Sequence, residues 1–224
     1  MDQKKAGAFT GDASKGNPYE GDKGVGIDYD KYESRFELVE QQGDFPMRAK
    51  GYRTAARRVV RYLNVQENQR VLDMGSGTGI STLEALTQNP GIFVIGVEKS
   101  VGMLEVARYK LGHPPGEELL RYVNDPKLEE YWEEFRKESE GFRGNVEFYL
   151  GDVQDMAFIS GESIDHAFGN QIIHWTNLNK SFGELRRILR RKGQVIWNSA
   201  SHFYNDERFP SAERGFRYND FLKY

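Results

Sequence analysis

Arg70-Val71-Leu72-Asp73-Met74-Gly75-Ser76-Gly77-Thr78-Gly79-Ile80 is the stretch from which the fold can be read. A short apolar run, Val71-Leu72, meets an acid and then three glycines separated by single residues. A helical pattern over residues 80–88 follows at once. The order is strand, tight turn, helix N-terminus. Glycines let the chain reverse where a side chain would be strained, and they let a ligand approach the backbone closely. The N–H groups of the turn and of the helix start suit a polar or anionic group. The third glycine comes one residue too early for the dinucleotide pattern G-x-G-x-x-G. No G-K-[ST] is present, which excludes a Walker-type loop. Asp73, directly before the turn, is placed to accept a hydrogen bond from a ligand cation or amine.

Short apolar strands alternate with helical stretches around this motif. Strands are expected at 70–74, 93–97, 146–150, 164–168 and 194–197, and helices at 46–63, 80–88, 102–111 and 178–190. Pro46 suits the first turn of its helix, and Lys192-Gly193 closes the last one. Such alternation implies right-handed crossovers and a mainly parallel, doubly wound α/β sheet. No internal repeat is visible. Residues 113–143 form an insertion before the third strand. Pro114-Pro115 stops the preceding helix, and two apolar stripes follow: Leu119, Leu120 and Val123, then Leu128, Tyr131, Trp132 and Phe135. The helix leaving strand two runs away from the binding edge, so the insertion reads as a packing or oligomer element rather than a substrate cap.

Residues 1–18 have almost no apolar side chains and read as a flexible N-terminus. Residues 19–45 carry Tyr19, Tyr29, Tyr32 and Phe36 among glycines and acids. Residues 46–199 form the core, and 200–224 are aromatic-rich without strand alternation. A chain of 224 residues with 38% hydrophobic residues can bury one sizeable core. It has no cysteine, which excludes disulfides, thiolate metal sites and cysteine nucleophiles. No His/Asp/Glu grouping has metal-ligand spacing, so no metal is expected. No apolar run spans a bilayer and no signal core begins the chain, which predicts a cytoplasmic protein. The net charge of −3 provides no general attraction to nucleic acid.

Ligands of open parallel sheets bind beyond the carboxyl ends of the strands, where strand order reverses. Four segments end there. The first is Gly75, Ser76, Gly77, Thr78 and Gly79. The second is Glu98, with Lys99 beside it. An acid at the end of strand two suits a bidentate grip on two ribose hydroxyls. The third is Gly151-Asp152-Val153, where Asp152 is placed to accept from an exocyclic amine and Val153 to form an apolar wall. A helix N-cap is the alternative role for Asp152. The fourth is Gly169-Asn170-Gln171-Ile172-Ile173-His174-Trp175. Asn170 and Gln171 offer amides, and His174 is the candidate general base, since imidazole titrates near neutrality. His174 and Trp175 would alternatively fix the loop by packing. His166, inside strand four, reads as structural.

Together these segments resemble the class I S-adenosylmethionine-dependent methyltransferases, over roughly residues 46–199. Residues 71–79 resemble that family's first motif, Glu98 its ribose-binding acid, and Gly151-Asp152-Val153 its adenine-contacting segment. The loop from Asn170 to Trp175 is similar to that of small-molecule enzymes related to the ubiquinone-biosynthesis and trans-aconitate methyltransferases. The Asn/Asp-Pro-Pro-Tyr/Phe run of DNA and protein-glutamine enzymes is absent from it. The resemblance implies S-adenosylmethionine as cofactor and a sheet ordered 3-2-1-4-5-7-6. The last antiparallel pair has no candidate here, so the reading expects a fragment of a longer protein or a remodelled end. It also implies that Tyr19, Tyr29 and Tyr32 belong to a lid over the cofactor.

The expected activity is methyl transfer to a small-molecule acceptor by in-line displacement. Two other readings compete with it. Arg53, Arg57, Arg58 and Arg61, with Arg186, Arg187, Arg190, Arg191 and Lys192, suggest an RNA-directed enzyme. The missing strand pair suggests a non-catalytic cofactor-binding or assembly subunit. The oligomeric state is not specified by the sequence.

Overall fold

The structure, a computed structural model, describes residues 46–115, 119, 126–173 and 176–198. Tyr19, Tyr29, Tyr32, His174, Trp175 and residues 199–224 lie outside the described residues, as do Leu120 and Val123 of the insertion.

Five strands form one parallel sheet: β1 (Arg70–Met74), β2 (Phe93–Glu98), β3 (Val146–Leu150), β4 (Ile164–Asn170) and β5 (Leu189–Asn198). Their order is β3-β2-β1-β4-β5, with every neighbouring pair parallel. The helices are α1 (Pro46–Arg61), α2 (Ile80–Gln88), α3 (Val101–Lys110), α4 (Pro126–Glu138) and α5 (Leu178–Ile188). This is the doubly wound, Rossmann-like α/β architecture that strand–helix alternation implies.

The period-two geometry of a strand sends successive side chains to opposite faces. Val71 and Val94 join one core with Val59 and Val60 of α1, Leu83 and Leu86 of α2, and Leu104 and Ala107 of α3. Leu72 and Ile95 join the other, with Met156, Ile159, and Leu185 and Ile188 of α5. Covering both faces explains why β1 and β2 read as continuous apolar runs rather than alternating ones. The central strands are therefore covered on both faces up to their carboxyl ends, where the candidate site residues begin.

Several boundaries differ from expectation, most by one or two residues. β4 extends two residues further, to Asn170. α5 ends at Ile188, and β5 starts at Leu189 rather than at Gln194. Leu189 pairs with Ile164 and Gln194 with His166, so the pairing skips residues on β5. Lys192, at φ 74°, sits in that irregularity. Lys192-Gly193 is thus a bulge within a strand, not a helix cap. The signature is the same at both kinds of position, because each needs a left-handed backbone.

The described part of the insertion packs on α3. Trp132 and Leu119 are buried against Val106 and Tyr109. The Tyr109 hydroxyl donates to Glu133 at 2.7 Å, and the Ser139 hydroxyl donates to the Lys110 carbonyl at 2.7 Å. Arg53 of α1 bridges Glu84 of α2 and Glu138 of α4, at 2.7 and 2.6 Å.

Candidate functional site

The glycine turn leaves β1 at the place where strand order reverses, with β2 on one side and β4 on the other. Gly75, Gly77 and Gly79 all have positive φ, as a reversal this tight requires. Ser76 N–H donates to the Val97 carbonyl at 3.1 Å and so carries the β1–β2 ladder into the turn. Glu98 braces the turn from β2. Its Oε2 accepts from Gly77 N–H at 2.9 Å and its Oε1 from Ser100 N–H at 2.8 Å. Thr78 Oγ1 accepts from the buried Lys110 ammonium at 3.3 Å. Lys110 in turn lies 4.5 Å from the ring of Phe135 on α4, so one side chain joins the turn, α3 and the insertion.

Asp73 is fully buried. Its Oδ2 accepts from the Thr82 hydroxyl of α2 at 2.7 Å, while Oδ1 has no partner. Ser76 Oγ, also buried, has none either. Buried polar atoms are almost always paired in native structures, so these two oxygens near the end of β1 are available to the donors of a bound ligand. Burial pushes the Asp73 carboxyl up to about 7. The Thr82 hydrogen bond opposes that shift and the nearby Glu98 charge adds to it.

Asp152 follows β3. It does not cap a helix. Its Oδ1 accepts from the backbone N–H of Gln154 at 2.9 Å, a side-chain turn, and its Oδ2 accepts from Lys99 at 3.2 Å. Burial works against ionisation here, but the Gln154 hydrogen bonds and the Lys99 ammonium hold the carboxyl below its ordinary range. Lys99 is exposed and ties the β2 end to the β3 end. Val153 is buried among Leu72, Met74 and Val97.

Asn170 and Gln171 end β4. Ile172, the next residue, lies over the turn: a Cβ built on Gly75 would meet its Cγ1 at 2.6 Å, and one on Gly169 its Cγ2 at 2.6 Å. The structure thus joins the first, second and fourth predicted segments directly and links the third through Lys99. His166 is buried and accepts from Gln194 N–H at 3.2 Å, the structural role expected for it. His113 is exposed.

Sequence reasoning missed four contributors. Thr82 and Lys110 sit on helices, with no local signal that they point at the turn. Gln154 accepts from Asn177 N–H at 2.7 Å and so couples the β3 exit to the start of α5. Asn198 bonds to both Asn170 and Gln171. A polar residue ending β5 was a usable signal for Asn198, had the strand end been placed there.

A family model described as a methyltransferase domain matches residues 72–197. A malonyl-[acyl-carrier protein] O-methyltransferase of Legionella pneumophila is 27% identical over 141 residues, which are 62% of this chain and 39% of that protein. A protein of Saccharomyces cerevisiae named as a probable S-adenosylmethionine-dependent methyltransferase is 25% identical over 123 residues, 55% of this chain and 33% of that one. This chain spans about two fifths of the length of the curated relatives it matches. Among solved structures, a chain in the complex of the Haloferax volcanii Trm112 methyltransferase activator with a methyltransferase superposes at TM-score 0.53. It is 19% identical, over 83% of this chain and 65% of that one, and the likeness concerns the fold.

Proposed function

Because the chain belongs to the class I S-adenosylmethionine-dependent methyltransferases, whose cofactor is S-adenosylmethionine, we propose that it transfers a methyl group to a small-molecule acceptor. The observation that carries the cofactor side of this reading is the pair of buried oxygens without a protein partner, Asp73 Oδ1 in β1 and Ser76 Oγ in the turn that follows it. Ser76 Oγ lies against Gly96 of β2, the register partner of Asp73, and the next residue of the turn, Gly77, faces open space, where an added Cβ would meet nothing within 4 Å. The residues present fit the cofactor: acceptors for an amine or hydroxyl, turn N–H groups, and a neighbouring acid.

The cofactor supplies a methyl group on an already activated sulfonium, so the chain needs no nucleophile of its own. Its residues bind, orient and exclude water. Glu98 takes the ribose hydroxyls, and Asp152 and Val153 the adenine. Gly75, Ser76, Gly77, Thr78 and Gly79 cradle the amino-acid portion with Asp73, and Lys99 holds Asp152 in place. Asn170 and Gln171 border the methyl. His174 is the proposed base for acceptors that must lose a proton, and Tyr19, Tyr29 and Tyr32 the proposed cover. A packing or oligomer role is proposed for residues 113–143, and the cytoplasm is the proposed location; no described helix is long and apolar enough to cross a membrane.

Four of the nine basic residues that suggested RNA are engaged with acids, which weakens the RNA reading. Arg53 and Arg57 are paired with Glu84, Arg187 with Glu184, and Arg190 with Asp165. Two relatives are named for malonyl-acyl-carrier-protein O-methylation, so an acyl carboxylate is a reasonable first acceptor to assay.

Calorimetric titration with S-adenosylmethionine and S-adenosylhomocysteine tests the reading. Both should bind, and Glu98→Ala should weaken both by about 1–3 kcal/mol, since ligand hydroxyls lose a charged acceptor. No heat with either ligand on the folded chain refutes it.

A further inference from the structure

Asn198 closes β5 beside the end of β4. Its Oδ1 accepts from the backbone N–H of Gln171 at 2.7 Å, and its Nδ2 donates to Asn170 Oδ1 at 2.8 Å. The first bond has one possible direction, because a backbone N–H only donates. It therefore sets the Asn198 amide, which sets the Asn170 amide in turn: oxygen towards Asn198, nitrogen away from it. The N–H that starts this relay belongs to Gln171 at φ 64°, a left-handed conformation in a residue that is not glycine. Such a conformation persists only where the surroundings hold it, and it clusters at functional sites. The residue after the bend, Ile172, lies over Gly75 and Gly169. The relay thus governs both the amide at the end of β4 and the segment covering the glycine turn.

We propose that Asn198 is a positioning residue of the cofactor site, which acts through Asn170 and Gln171 to orient the end of β4 towards the bound methyl donor. The proposal rests on the functional reading above.

The test is a double-mutant cycle read by calorimetry with S-adenosylmethionine, alongside thermal melts. The chains are wild type, Asn198→Ala, Asn170→Ala and the double variant. Asn198→Ala is expected to weaken binding about five- to tenfold in the wild-type background, and by a clearly smaller factor where Asn170 is already lost, because only the bond to Gln171 N–H is then left to lose. Asn198→Asp keeps an oxygen for Gln171 N–H and should recover part of the affinity. Equal losses in both backgrounds, or unchanged affinity in Asn198→Ala, overturn the proposal. Should Asn198→Ala fail to fold, Asn198→Ser enters the same cycle with the same two outcomes. Failure of the wild-type chain to bind the donor overturns the functional reading itself. That result shows before any variant is made.

Discussion

Asp73 is the residue whose chemistry departs furthest from its ordinary behaviour. Its carboxyl titrates near 7 in the folded chain, against an ordinary value of 3.8, with burial the leading cause. The folded state thus holds this proton more tightly than the unfolded state does. The contribution to stability is full below about pH 4 and is lost as pH rises through about 7. Asp73→Asn should remove that part of the slope: urea unfolding between pH 4 and 7 should show a flatter profile than wild type. An unchanged slope would show that Asp73 is ionised throughout. The residue type and its place before the turn were legible in the sequence. Its burial was not, because that depends on Thr82 reaching back from α2 and on β2 and β4 closing over both sides.

The glycine turn separates two roles that one pattern had merged. Gly75, at φ 64°, faces Ile172, so an added Cβ would collide as well as strain the backbone. Gly77, at φ 53°, faces open space. Gly75→Ala should therefore lower the melting temperature clearly, with loss of cofactor binding as a consequence. Gly77→Ala should lose only about 1–2 kcal/mol of stability from its left-handed backbone, yet weaken S-adenosylmethionine binding more than tenfold. Equal thermal losses in the two variants would contradict this assignment. Among the larger elements, β1, α2 and β3 begin and end where their sequence patterns do, because glycine, proline and apolar spacing act locally. The α5–β5 boundary was not readable. Arg190, Arg191 and Lys192 suit a helix end, and pairing of Leu189 with Ile164 and of Arg190 with Asp165 draws the stretch into the sheet.

The insertion binds the molecule together on the side of α3. Phe135 lies 5.3 Å from the Arg53 guanidinium and 4.5 Å from the Lys110 ammonium, and Trp132 is 1% exposed. Trp132→Ala should destabilise the fold by about 3–5 kcal/mol, measured by urea unfolding. If the insertion were a loosely attached cap, the loss would instead be below about 1 kcal/mol. A second expectation concerns the ion pairs. Glu84 is 1% exposed between Arg53 and Arg57, and Glu84→Gln should cost about 1–3 kcal/mol. Partial exposure of both arginines keeps that below the value for a fully buried pair.

Strand–helix alternation, the three-glycine turn and the acids at the ends of β1 and β2 and after β3 could be assigned from the chain alone, since each depends on short-range geometry and on which side chains avoid water. The family followed from them. Which oxygens stand unpaired, which cation lies under the turn, and which strand end orients Asn170 were settled by packing. Those contacts join residues tens of positions apart, such as Thr78 with Lys110 and Gln171 with Asn198. No local pattern encodes such distant pairings; they exist once the sheet has brought its strand ends to one edge.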